Sequence, residues 1–199
     1  MIQPGLCKIE GFIKIHDPNT GEVLVDKKNA IHYENISIAL GYMLANKDQN
    51  YIYEMHFGNG GTSVDPTGVI TYLPPNTNTQ NSNLYNPTFS KIVDDTSSAN
   101  TNPLKNFIEI RHIPGTVYTD ILVTCLLDYG EPAGQASFDN TQNLNDQYVF
   151  DELGLFSSRD PSRMLTHVVF HPVQKSLNRK IQIDYTVRIQ ALTNLSSIG

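Results

Sequence analysis

The chain has 199 residues, a formal net charge of −6 and a sequence pI near 5.4, which fits a single compact domain able to bury a substantial core. The acidic balance argues against direct nucleic-acid binding, which needs clustered Lys and Arg, and no apolar run approaches the ~18–20 residues of a membrane span. Only 17% of residues are charged, against about 25% in an ordinary domain, so abundant Asn, Thr and Ser must supply the polar surface, a composition that favours strands and turns over long solvated helices.

In chain order, residues 7–15 alternate, with Cys7, Ile9, Gly11, Ile13 and Ile15 on one face, the period of a half-buried strand. The turn-rich run Asp17-Pro18-Asn19-Thr20-Gly21 follows, and residues 22–26 resume an extended pattern, which predicts a β-hairpin. Ile36, Ala39, Leu40, Met43 and Leu44 then form an apolar stripe at helical spacing, with Asn35 as the expected N-cap and Asn46 closing the helix. Residues 51–57 alternate again and end at Gly58-Asn59-Gly60-Gly61, where glycines are expected to supply positive φ. The stretches 74–87 and 94–103 are polar and poor in charge. They predict long projecting loops around a short strand at 90–93, with residues 76–83 removable without loss of the fold. Strands are predicted at 107–112, 116–129, 147–157, 164–171 and 180–192. In the last, Ile181, Ile183, Tyr185, Val187, Ile189 and Ala191 share a dry face. The expected fold is mainly β, an antiparallel β-sandwich of jelly-roll or Greek-key character with one short helix, spanning residues 1–199 as one domain.

Site chemistry is sparse. His167 and His171 would lie roughly 13 Å apart on a strand, too far to share a zinc ion, and His16, His32, His56 and His112 fall in separate segments and read as surface or strand-end residues. Asp17-Pro18-Asn19-Thr20-Gly21 lacks the later acidic ligand of a calcium loop. No helical pattern opens after Gly58-Asn59-Gly60-Gly61 and no Gly-Lys-Ser/Thr is present, which argues against a phosphate loop. Gly-x-Ser-x-Gly is absent. The neighbours Asp94-Asp95 and Asp151-Glu152 would point to opposite faces of a strand unless a bulge intervenes. No catalytic residue, metal or cofactor is therefore expected. Cys7 and Cys125 are read as buried thiols, a bridge between them being the alternative. Residues 1–5 carry no basic region followed by an apolar stretch, so no secretory signal is expected.

Three runs carry a resemblance. Tyr148-Val149-Phe150-Asp151-Glu152-Leu153-Gly154-Leu155-Phe156 is followed by Leu165-Thr166-His167-Val168-Val169-Phe170-His171-Pro172, and then by Ser176-Leu177-Asn178-Arg179-Lys180-Ile181-Gln182-Ile183-Asp184-Tyr185-Thr186-Val187. With His56-Phe57-Gly58-Asn59-Gly60-Gly61 and Pro66-Thr67-Gly68 upstream, this order resembles β-rich virion proteins of tailed bacteriophages, in particular neck, collar and tail-associated components of contractile-tailed phages. The resemblance implies a non-enzymatic structural subunit, assembled in the host cytoplasm into a homo-oligomeric ring of the virion and contacting neighbouring neck, tail or portal-adaptor proteins. Its contacts are expected at sheet edges and at Gly58, Asn59, Gly60, Gly61, Tyr72, Leu84, Tyr85 and Phe89. The alternative is a tail-fibre or baseplate module that binds carbohydrate, with Tyr72, Tyr85 or Phe89 as stacking platforms.

Overall fold

A computed structural model describes residues 7–47, 50–133, 147–158 and 161–191. The chain is mainly β. Its strands are β1 (Cys7–His16), β2 (Val23–Ile31), β3 (Ile52–Gly58), β4 (Thr62–Val64), β5 (Ile70–Tyr72), β6 (Pro87–Ile92), β7 (Phe107–His112), β8 (Tyr118–Leu127), β9 (Gln147–Ser157), β10 (Thr166–Ser176) and β11 (Ile181–Ala191), with one helix, α1 (Tyr33–Leu44), among the described residues. Nine strands form one antiparallel sheet in the order β6-β3-β9-β10-β2-β1-β11-β8-β7, and β4 and β5 make a small separate hairpin. The large sheet is joined at its middle by only two residue pairs, Thr166 with Ile31 and His167 with Ala30. At that narrow joint the halves fold toward each other in a sandwich-like arrangement, and one core cluster draws side chains from both.

The alternation read along β11 holds where it matters. Ile181, Ile183, Tyr185 and Val187 are buried, Ile189 is half-buried, and the face runs out at exposed Ala191; the expected Leu192 lies outside the described residues. Opposite, Phe150 stands edge-on to Phe57 (centroids 5.3 Å apart) and to Phe170 (5.8 Å). Such buried aromatic side chains contribute about 1.5–3 kcal/mol each through burial. β10 runs past its expected end at His171, through Pro172 to Ser176. Proline is accommodated because the pairing with β9 shifts register between Val169 and Val173, a bulge that frees this stretch from the ladder. The β4–β5 hairpin was not foreseen. Its turn is closed by Asp65, whose Oδ1 accepts from the N–H groups of Thr67 (2.8 Å) and Val69 (3.0 Å), with Gly68 at φ +86°.

Two expectations at the helix change and one holds. His32, not Asn35, is the N-cap: its Nδ1 accepts from the Asn35 N–H at 3.3 Å. The Asn35 side chain is buried instead, and its Nδ2 donates to the carbonyls of Met164 (2.9 Å) and Gln80 (3.1 Å). Asn46 does close the helix, with φ 51° and a Schellman pair of bonds, Asn46 N–H to Met43 O (3.1 Å) and Lys47 N–H to Tyr42 O (2.9 Å). Only the first half of the apolar stripe is covered, since Ile36 and Ala39 are buried while Leu44 is 89% exposed.

The two polar loops do not project freely. The 94–103 loop is drawn in by Asn100, whose Nδ2 donates to Asp94 O (3.1 Å) and Asn106 O (2.9 Å), and Asn106 in turn accepts from the Leu126 N–H (2.9 Å). The 74–87 loop lies against the sheet. Asn76 donates its N–H to His167 Nδ1 (2.8 Å), Thr79 O meets His32 Nε2 (2.7 Å), and Leu84 is buried against Phe156 and Met164. Removing residues 76–83 would strip partners from the buried side chains of His32, Asn35 and His167, so the segment is part of the fold and not a dispensable appendage. Cys7 is exposed at the start of β1 and Cys125 is buried; the two are free thiols, and the expectation of two buried ones holds only for Cys125.

Candidate interaction surface

The densest polar constellation lies under the glycine-rich turn. Asp151 sits opposite the β10 bulge, and that irregularity lets it and Glu152 reach the same stretch of backbone in spite of their adjacent positions. Glu152 Oε1 accepts from the N–H groups of Gly60 (3.0 Å) and Asn86 (2.8 Å), and Oε2 from Tyr85 N–H (2.9 Å) and His167 Nε2 (3.0 Å). Asp151 accepts from Gly61 N–H (2.9 Å), Thr62 N–H (2.9 Å) and the Thr62 hydroxyl. Because His167 Nδ1 accepts from the Asn76 N–H, its proton resides on Nε2 and is donated to Glu152, which makes this a neutral imidazole bonded to a carboxylate. Burial works against ionised Glu152, but His167 and the backbone donors of Asn86, Tyr85 and Gly60 outweigh it and hold the carboxyl below its usual range. For Asp151 burial prevails over the bonds from Thr62 and Gly61, and its carboxyl is pushed up.

Every oxygen of this pair is thus engaged by the chain's own donors, and the side chains of Glu152 and His167 are fully enclosed. The constellation is a clamp for the loops at 58–62 and 76–86. The glycines serve that closeness, and positive φ is not the reason for them: a Cβ on Gly58 would lie 2.5 Å from Glu152 Oε1 and 2.6 Å from Asn86 O, while among the described residues the positive-φ glycines are Gly21, Gly68, Gly115 and Gly130.

The expected contact residues are consequently divided. Gly58, Gly61 and Leu84 are buried within the chain, and Asn59 and Gly60 are half-buried over the clamp. Phe89 is half-buried and packs on Phe57 at 5.8 Å. Tyr72 and Tyr85 retain exposed rings, 47% and 40%, although their hydroxyls are engaged, with His171 Nδ1 at 3.1 Å and with Pro74 O at 2.7 Å. The structure brings Tyr85 beside the clamp, 5.7 Å from the His167 ring, and leaves Tyr72 on the small hairpin.

A different surface stands out, and the sequence reading did not single it out. β7 ends the sheet on one side, and among the described residues it pairs with β8 alone. Ile110 on it is 71% exposed, and Ile113 just past its end is 60% exposed. Ile108 and Ile110 also border an apolar cleft of about 220 Å³ between α1 and the sheet, with Met43 on the helix side. On the outer face, neighbouring strands carry charges of alternating sign in register: Arg111 of β7 opposite Asp120 of β8, Asp120 opposite Arg188 of β11, and Arg188 opposite Glu10 of β1. Arg188 grips Asp120 through two bonds of 2.7 Å, which holds the Asp120 carboxyl below its usual range. At the edge, Arg111 turns to Glu109 of its own strand at 2.9 Å. The signal in the sequence was the triplet Glu109-Ile110-Arg111, an apolar residue between opposite charges, but only the sheet order reveals that it borders solvent.

Among the described residues no group of three or more His, Cys, Asp or Glu side chains is arranged to hold a metal ion, and no helix is long and apolar enough to cross a membrane. Compared with known protein families, curated proteins and solved structures, the chain finds no match.

Proposed function

We propose that the chain is a non-enzymatic structural subunit of a tailed-phage virion that works by assembly, as part of a ring at the neck or collar where head and tail join. The observation that carries the assembly reading is the β7 edge: a strand that pairs with no second strand on its outer side among the described residues, with Ile110 exposed on it, Ile113 exposed just beyond its end, and an apolar cleft beside it. Unpaired edges of this kind invite pairing with another chain, and proteins that do not use them blunt them with charges, Pro, bulges or covering loops; the charges on β7, Glu109 and Arg111, are of opposite sign and bond each other. β7 contains no Pro and its pairing with β8 runs without a register shift. The most enclosed carboxylates and imidazole, which would be the first candidates for chemistry, are consumed in fixing loops. The station at the neck rests on the resemblance carried by residues 148–156, 165–172 and 176–187. Its partners in this reading are further copies of the chain and adjoining neck, tail or portal-adaptor proteins, with no direct contact to nucleic acid or membrane.

The test is deletion of the coding gene from the phage genome that carries it, followed by electron microscopy and mass spectrometry of the particles. The expected result is loss of joined head–tail particles, restored by the chain in trans, with the chain present in purified virions. Normal particle yield without it would overturn the reading. Specific glycan binding lost on Tyr72→Ala or Tyr85→Ala, by a chain absent from the head–tail junction, would favour an attachment module.

A further inference from the structure

We infer that two copies of this chain pair through β7, antiparallel about a two-fold axis at Ile110, to make one continuous sheet across both. The inference deepens the assembly reading and rests on it. The direction of the free backbone groups gives the register. The Ile108 N–H is turned away from β8, toward Asp95 Oδ1 at 3.5 Å. In an antiparallel ladder alternate residues face alternate sides, so the backbone groups of Ile108, Ile110 and His112 point to the open edge, and those of Phe107, Glu109 and Arg111 point to β8. Pairing centred on Ile110 therefore matches outward donors with outward acceptors along the strand, Asp95 giving up the Ile108 N–H to the second copy. Ile110 faces Ile110 of the second copy, and Ile108 faces His112.

Charge selects the same register. With Ile110 at the axis, Glu109 of one copy lies opposite Arg111 of the other, and the reverse, on the outer face. The alternating row Glu10, Arg188, Asp120, Arg111 then continues across the axis into Glu109 of the second copy without a sign conflict. A shift of two residues either way would break that match. Opposite charges directly across an antiparallel pair stabilise it and like charges destabilise it. On the core-facing side, Ile110, exposed in the single chain, would be covered by its own counterpart, next to the cleft it borders. A two-fold contact closes on itself, so a ring would be built from pairs and its remaining contacts would fall to a second surface.

The experiment is sedimentation equilibrium of the full chain and four variants. The wild type is expected to dimerise reversibly. Glu109→Arg and Arg111→Glu each place like charges across the axis twice per pair and should weaken dimerisation by about tenfold. The double exchange Glu109→Arg with Arg111→Glu restores opposite charges and should return to within about threefold of wild type. Ile110→Pro removes an N–H that faces the open edge, a position where proline leaves the β8 pairing intact, and should abolish dimerisation with an unchanged thermal melt. A wild-type chain that stays monomeric to its solubility limit overturns the inference. So does a dimer indifferent to Ile110→Pro, or a double exchange no better than the single variants. If the chain stays monomeric yet enters virions, the pairing is wrong and the assembly reading stands. If it pairs as described yet its gene is dispensable for particles, the pairing stands and the assembly reading fails.

Discussion

Replacing Glu152 by Gln changes one oxygen to an amide nitrogen in a site where four donors converge. Whichever way the amide turns, one donor pair loses its acceptor: either Gly60 and Asn86, or Tyr85 and His167. His167 cannot relieve the second case by moving its proton, because its Nδ1 already accepts from Asn76. Hydrogen bonds to a charged group are worth roughly 1.5–3 kcal/mol each, so two lost bonds give about 3–6 kcal/mol. Removing a buried charge recovers part of that, since an amide is less costly to bury, which leaves an expected loss of about 3 kcal/mol. In urea, with a slope of about 2 kcal/mol/M, the unfolding midpoint should fall by about 1.5 M. The pH dependence supplies a second check. The Glu152 carboxyl is held below its ordinary 4.5, so the stability from its ionisation is complete above pH 4.5 and is lost as pH falls through the lowered folded value. The gap between wild type and variant should therefore narrow in acid. A midpoint change under about 0.3 M at neutral pH would refute the clamp, because two unsatisfied buried donors cannot cost so little.

Lys175 is fully buried, with Nζ donating to Ser176 O at 2.8 Å, and burial pushes its ammonium down from 10.5 to about 8. Between those values the unfolded chain holds a proton that the folded one has released, so folding stability should rise with pH from about 8, by up to roughly 3 kcal/mol. Above pH 10 the rise is opposed by Tyr148 and Tyr185, whose phenols burial pushes up; Lys175→Met should flatten the pH 8–10 rise in chemical denaturation, and an unchanged slope would contradict it. Cys7 is exposed, while burial pushes the Cys125 thiol up to about 12, so an aromatic disulfide reagent should titrate one thiol quickly in the native chain and a second only in denaturant. Rapid reaction of both in native buffer would show that the core around Cys125 opens readily.

Local pattern alone determined much of this protein. The period-two runs of β1, β3 and β11 face as their alternation requires, because a strand's side chains must alternate and apolar ones seek the same dry side. Asn46 could be read as a helix stop because few residues other than Gly adopt the left-handed conformation so easily. Local pattern failed where the deciding partner is remote in sequence. Asn35 looked like an N-cap, yet its side chain answers to Met164 and Gln80, and the cap falls to His32. The loop at 74–87 looked free because it lacks apolar residues, yet buried polar groups on α1, β9 and β10 hold it through its backbone. The glycines at 58–61 looked like flexible turn residues, yet they admit carboxylates that lie some 90 residues further on. Above all, nothing in the run from Phe107 to His112 states that it is an edge. Its alternation would suit a central strand equally well, and only the order of nine strands leaves its outer side without a neighbouring strand among the described residues and brings Arg111, Asp120, Arg188 and Glu10 into one row. Strand identity follows from interactions between near neighbours in sequence, whereas strand order is set by long-range pairing, and the exposed edge is a property of that order.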